Sequence, residues 1–186
     1  QNIKIQLKLE KIQPILITGG KAWHFANKEK NKWKDSLTQQ IRNHDYNDKV
    51  FISFGEIDCR KEEGILTYST KKNKKIDLIC EETINGYLNY MERVLAKYYR
   101  HKYYFGIPAP TVTQFTDIKD INRIELIKVY NSIYKNKVLS VGSYFLDVYE
   151  LTSTEEGLNN NRHMCDGIHL SPECLSILFE KHLYKN

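Results

Sequence analysis

The sequence predicts an α/β fold of three layers, with a mainly parallel central sheet between helices. Three observations predict it. Short apolar runs of strand length recur along the 186 residues, each stopping at glycine, proline or another turn residue. Between them lie segments whose apolar residues repeat every three or four positions, long enough to cross from one parallel strand to the next. The order is strand then helix, repeated, without internal repeat, low-complexity tract or linker. One domain over residues 1–186 is expected, and Gln1 in place of Met leads us to expect a domain cut from a longer chain.

Taken in order, Ile3, Ile5, Leu7 and Leu9 alternate with polar residues, the pattern of a half-buried edge strand. After Pro14, Ile15-Leu16-Ile17 runs into Thr18-Gly19-Gly20 and reads as a strand buried on both faces. Trp33, Leu37 and Ile41 recur every four residues and predict a helix. Val50-Phe51-Ile52-Ser53-Phe54 is the second buried strand, stopped by Gly55. Ile76, Ile79, Ile84, Leu88, Met91 and Leu95 fall on one face of a long amphipathic helix. Residues 103–107 form the third strand, closed by Pro108-Ala109-Pro110. Ile121, Ile124, Val129 and Ile133 mark the next helix, and residues 144–148 the fourth strand. Ser171-Pro172-Glu173 combines an N-cap, a proline at the first helical position and an early acid. It opens a final helix with Leu175, Leu178 and Phe179 on its apolar face.

Composition narrows the function. Hydrophobic residues make up 41% and charged residues 27%, as in soluble globular proteins. No stretch approaches the roughly 20 apolar residues that span a bilayer, and no signal-peptide run opens the chain, so no membrane partner is expected. The net charge of +5 comes from scattered lysines. Lys71, Lys72, Lys74 and Lys75 form the one dense basic run, without the interleaved aromatics of a nucleic-acid stacking platform. A solvated loop is expected there, and nucleic acid is not. Cys59, Cys80, Cys165 and Cys174 make no C-x-x-C pair, which argues against zinc-ribbon and thioredoxin-type sites. Reduced thiols in the cytoplasm are the default expectation. Thr18-Gly19-Gly20-Lys21 fails the phosphate-loop pattern, and His163, Cys165 and His169 have no second cluster of ligand spacing. No metal or cofactor is expected.

The residues that point to chemistry lie beyond the carboxyl ends of the strands, where open parallel sheets bind ligands. Asp166 and His169 stand three apart just before the final helix. A turn of that length folds the carboxylate onto the imidazole, fixing its tautomer and stabilising the imidazolium formed when the ring takes a proton. A plain turn with a surface histidine would also account for the pair alone. It is accompanied, however, by Gly55, whose backbone N–H at a strand end can meet a developing oxyanion, and by Glu56, Asp58 and Arg60 on the same rim. An ion pair between Arg60 and one of these acids is the structural alternative.

These blocks together resemble the SGNH (GDSL-type) hydrolases, a superfamily with a flavodoxin-like fold. Asp166-Gly-Ile-His169 is similar to the family's last block, which supplies the triad acid and base. Residues 54–60 resemble its G-x-N-D block in a G-E-I-D-C-R form, and the resemblance covers roughly residues 13–183. Two departures stand out. Where the family has G-D-S, this chain reads Ile17-Thr18-Gly19-Gly20-Lys21, so that Gly20 or Lys21 stands against the serine nucleophile. Ile57 occupies the position of the family's oxyanion-binding asparagine. A lysine amine attacks an acyl group only with a strongly lowered pKa. Losing one oxyanion donor costs roughly 2.7–4 kcal/mol of transition-state stabilisation.

The resemblance therefore implies a hydrolase-like domain, an esterase or deacetylase acting on acylated carbohydrate through a degenerate site. The alternative is an inactive relative that binds carbohydrate or scaffolds a neighbouring domain of the same polypeptide. A small-molecule or carbohydrate ligand is the expected partner in either case. A nucleic-acid accessory domain rests on charge alone.

Overall fold

The computed structural model describes residues 14–43, 48–111, 118–166 and 169–182. Helices α1 (Ala22–Ala26) and α2 (Lys32–Arg42) precede strand β1 (Lys49–Ile52). A single 3₁₀ turn (Ile57–Cys59), α3 (Ile65–Lys72) and α4 (Ile76–Leu95) lead to β2 (His101–Phe105). Helix α5 (Ile118–Ser140) crosses to β3 (Tyr144–Leu146), followed by α6 (Val148–Thr152) and α7 (Glu173–His182). Among the described residues the sheet is wholly parallel, in the order β1-β2-β3.

Strand periodicity assigns the two faces. Phe51, Tyr103 and Tyr144 are register partners, and their rings stack in a row across the sheet at 4.9 and 4.6 Å. Phe179 of α7 lies 4.8 Å from Phe51, so α7 covers this face, with Leu178 fully buried among Phe105, Leu146 and Val148. The next residue along each strand, Ile52, Tyr104 or Phe145, points the opposite way into the larger core under α4 and α5. That core is rich in phenols. Tyr87, Tyr104, Tyr130 and Tyr134 are fully buried. Tyr134 donates to the Tyr87 hydroxyl at 3.4 Å, and Tyr104 to Glu92 at 2.8 Å. Glu92 also accepts from Ser143 and pairs with Lys102. Such partners offset the cost of burying polar groups.

The short helix α1 sits directly on α4. Their approach depends on Gly86, where a Cβ would come 2.9 Å from the Cβ and carbonyl oxygen of Ala26. Asn31 caps α2 by accepting from the Lys34 N–H, and Leu37 and Ile41 turn that helix's apolar side inward. Beyond β2, the Asn131 amide clamps Ile107 from both sides, accepting from its N–H and donating to its carbonyl.

Several expectations are revised. Residues 15–17 are not a strand: no described strand pairs with them, and Leu16 is 82% exposed. An apolar run becomes a buried strand only if a neighbour takes its backbone hydrogen bonds, and β1 presents an edge on that side among the described residues. The predicted edge strand over residues 3–9 lies outside the described residues. Strand β1 ends at Ile52, two residues before the predicted end, and Val148 belongs to α6 instead of the last strand. Lys71 and Lys72 close α3, so half of the basic run is helical. No described helix is long and apolar enough to cross a membrane, and all four cysteines are free.

Candidate active site

The carboxyl end of β1 opens into the segment that shapes the site. Gly55 is buried at φ +113°, and a Cβ there would come within 2.8 Å of Ile107 Cδ1 and 2.9 Å of the Tyr130 hydroxyl. Its N–H donates to no described residue. Two residues on, the chain tightens into the 3₁₀ turn, which splits the two acids. Glu56 stays partly exposed, whereas Asp58 is 1% exposed and does not belong to the rim. This corrects the expectation for Asp58, and the physical reason is capping. Its Oδ2 accepts from the Ala22 N–H at 2.7 Å and its Oδ1 from the Trp23 N–H at 3.1 Å, so it satisfies the first-turn donors of α1 from 35 residues away. Burial pushes the Asp58 carboxyl up to about 6, against the opposing pull of those two N–H groups and of Lys21.

Around this turn runs a chain of ion pairs. Lys21 Nζ meets Glu63 at 2.6 Å, and Arg60 reaches Glu63 at 3.7 Å and Glu56 at 2.8 Å. Arg123 of α5 closes the chain on Glu56 at 3.4 Å and donates to the Cys59 carbonyl. The Lys21 hydrogen bond holds the Glu63 carboxyl below its usual range. Half-exposed pairs of this kind contribute little stability singly. Together they tie the first loop, the 3₁₀ turn and α5 to one another.

The first loop carries no oxygen nucleophile at the expected positions, and the packing shows why. A Cβ at Gly20 would lie 2.8 Å from the Phe54 ring and 3.1 Å from the Ile17 carbonyl oxygen. Lys21 sends its ammonium to Glu63. The loop is held from behind by His24, whose Nδ1 accepts from the Lys21 N–H at 3.0 Å. Its ring stacks on Trp33 at 3.4 Å and 7°, and Trp33 donates to the Thr18 carbonyl. His24 and Phe25 are buried and Trp23 is half exposed.

Residues 163–166 and 169–171 are held against one another by backbone hydrogen bonds. Met164 bridges Leu170, the Cys165 N–H donates to the His169 carbonyl, and the Ser171 N–H donates to that of His163. At the tip, Asp166 Oδ1 accepts from the His169 N–H at 2.7 Å, and Oδ2 stands 2.8 Å from His169 Nδ1. With the Nδ1 proton on that bond, the Nε2 lone pair is available to take another. His169, Gly20, Gly55, Glu56, Arg60 and Ile57 all line one groove of about 1120 Å³. Asp58 and Lys21 do not line it. Among the described residues no group of three metal-ligating side chains comes together.

The fold has a counterpart among solved structures. A GDSL-like lipase from Bacteroides thetaiotaomicron matches with a TM-score of 0.53 over 82% of this chain and 69% of its own, at 16% identity. The chain has the SGNH/GDSL hydrolase fold. A phospholipase A1 from Streptomyces albidoflavus aligns over 74% of this chain and 66% of its own, at 15% identity and a TM-score of 0.38. No protein-family model matches the sequence, and no curated protein matches it. The groove runs along the whole of β1, between it and residues 14–20, and extends past the strand's carboxyl end to residues 53–57; His169 also lines it.

Proposed function

We propose that the protein is an ester hydrolase acting on acylated carbohydrate. The observation that carries this reading is the 2.8 Å contact between Asp166 and His169 Nδ1, made at the groove that Gly55 also lines. Asp166 fixes the imidazole tautomer, His169 Nε2 serves as base, and the Gly55 N–H, which donates to no described residue, receives the oxyanion. The Lys21 ammonium is engaged by Glu63 and does not line the groove.

An inactive carbohydrate-binding or scaffolding domain is the second reading. It is favoured by one observation: Ile57, which lines the groove, has no side-chain donor where the family has asparagine.

Hydrolysis of a small activated acetate ester by the protein and its His169→Ala variant separates the two. Turnover should fall by about 100-fold or more in the variant. Equal rates in both proteins would remove the hydrolase reading for simple esters and direct attention to sugar binding.

A further inference from the structure

A base at His169 needs an oxygen from which to take a proton. Two aliphatic hydroxyls line the groove with it, Thr18 and Ser53. Ser53 is the first residue beyond β1, and the alternation of that strand fixes its direction. Phe51 packs on the α7 face, against Phe179 and in one cluster with Leu170. Ile52 faces the opposite core, and Phe54 returns to that core against Phe25 at 4.7 Å. The residue between them therefore continues the Phe51 row on the α7 face, toward the carboxyl end of β1, and lines the same groove as His169. Ser53 is exposed, and its hydroxyl has no hydrogen-bond partner among the described residues. Gly55, whose N–H donates to no described residue, follows two residues later. Thr18 lies on the other wall, in the segment whose carbonyl Trp33 holds.

We propose that Ser53 is the nucleophile of this site. The proposal rests on the ester-hydrolase reading and names the group that reading lacks. Ser53 Oγ attacks the acyl carbon as its proton passes to His169 Nε2, forming the Oγ–C bond and a tetrahedral oxyanion facing the Gly55 N–H. The bond to the leaving alkoxide breaks, and His169 returns the proton to that oxygen, releasing the alcohol. Water then attacks the acyl-serine and gives its proton to His169. The Oγ–C bond breaks, Ser53 regains a proton from His169, and the carboxylic acid departs.

The test uses the full chain, with a fluorophosphonate probe read by peptide mass spectrometry beside acetate-ester turnover. The probe should label Ser53, with labelling reduced roughly tenfold or more in His169→Ala. Ser53→Ala should lose about 100-fold in turnover while retaining the near-UV circular dichroism of the parent. Turnover that depends on His169 yet survives Ser53→Ala would overturn the proposal and leave the hydrolase reading standing. Loss in Thr18→Ala with retention in Ser53→Ala would do the same. Absence of His169-dependent turnover would count against the hydrolase reading, while a His169-dependent adduct on Ser53 would still support this nucleophile. Neither turnover nor adduct would dismiss both.

Discussion

Gly64→Ala is expected to cost roughly 4 kcal/mol or more, enough to threaten folding in a protein whose total stability is about 5–15 kcal/mol. Gly64 sits at φ 87° and ψ −142°, a region that side-chain-bearing residues avoid. Space is lacking as well. A Cβ there would stand 2.3 Å from the Asp58 carbonyl oxygen and 2.7 Å from its carbonyl carbon. These are backbone atoms, so no rotamer change can clear them. The strained dihedral and the overpacking each cost about 1–3 kcal/mol, and here they act at the same residue. Relief would require moving the 3₁₀ turn, and with it Asp58 and the cap on α1. Urea unfolding of the parent and the variant measures the effect. A loss below about 1 kcal/mol would mean that this turn shifts freely and is a weaker support for the site than its packing suggests.

The second large effect concerns pH. Asp58 has a folded pKa of about 6 against an ordinary value of 3.8, chiefly through burial. An acid whose pKa is raised on folding binds its proton more tightly in the native state. Its contribution is therefore most favourable below the unfolded pKa and is lost as pH rises through the folded value. The window runs from about pH 4 to pH 6, and the loss is on the order of 3 kcal/mol. Asp58→Asn keeps one carbonyl acceptor for α1 and carries no titrating proton, so its stability should stay flatter across that window. The difference between the two profiles isolates Asp58 from Glu63, Glu156 and Glu173, whose carboxyls are lowered and whose linkage runs the other way. Parallel curves from pH 4 to pH 7 would show that Asp58 titrates near its ordinary value in the folded protein.

Much of this fold was legible from local pattern. The sheet positions at Phe51, Tyr103 and Tyr144 and the helices around Met91, Val129 and Leu178 follow from periods of two and of three to four. The Asp166–His169 contact was legible for the same reason, since a three-residue turn brings the partners together without help from the rest of the chain. What escaped depends on distant neighbours. Helix α1 is too short to show an amphipathic pattern, and its first turn is satisfied by a carboxylate 35 residues away. Nothing in Glu56-Ile57-Asp58 reveals which acid turns inward, because the 3₁₀ turn decides it. The apolar run at residues 15–17 cannot report whether a strand lies beside it.

The stacked His24–Trp33 pair gives the first loop an optical signature. The chain has two tryptophans. An imidazole lying flat on an indole at 3.4 Å forms part of the immediate surroundings of Trp33, so the emission of that indole should report on the seating of the first loop. Burial and the nearby charges of Lys21 and Lys32 lower the His24 pKa, which keeps the ring neutral at ordinary pH. Because His24 Nδ1 also holds the Lys21 N–H, any event that pulls the first loop away from its seat must disturb the stack. A ligand that displaces the first loop would then register as a change in Trp33 emission, readable in real time without an added label.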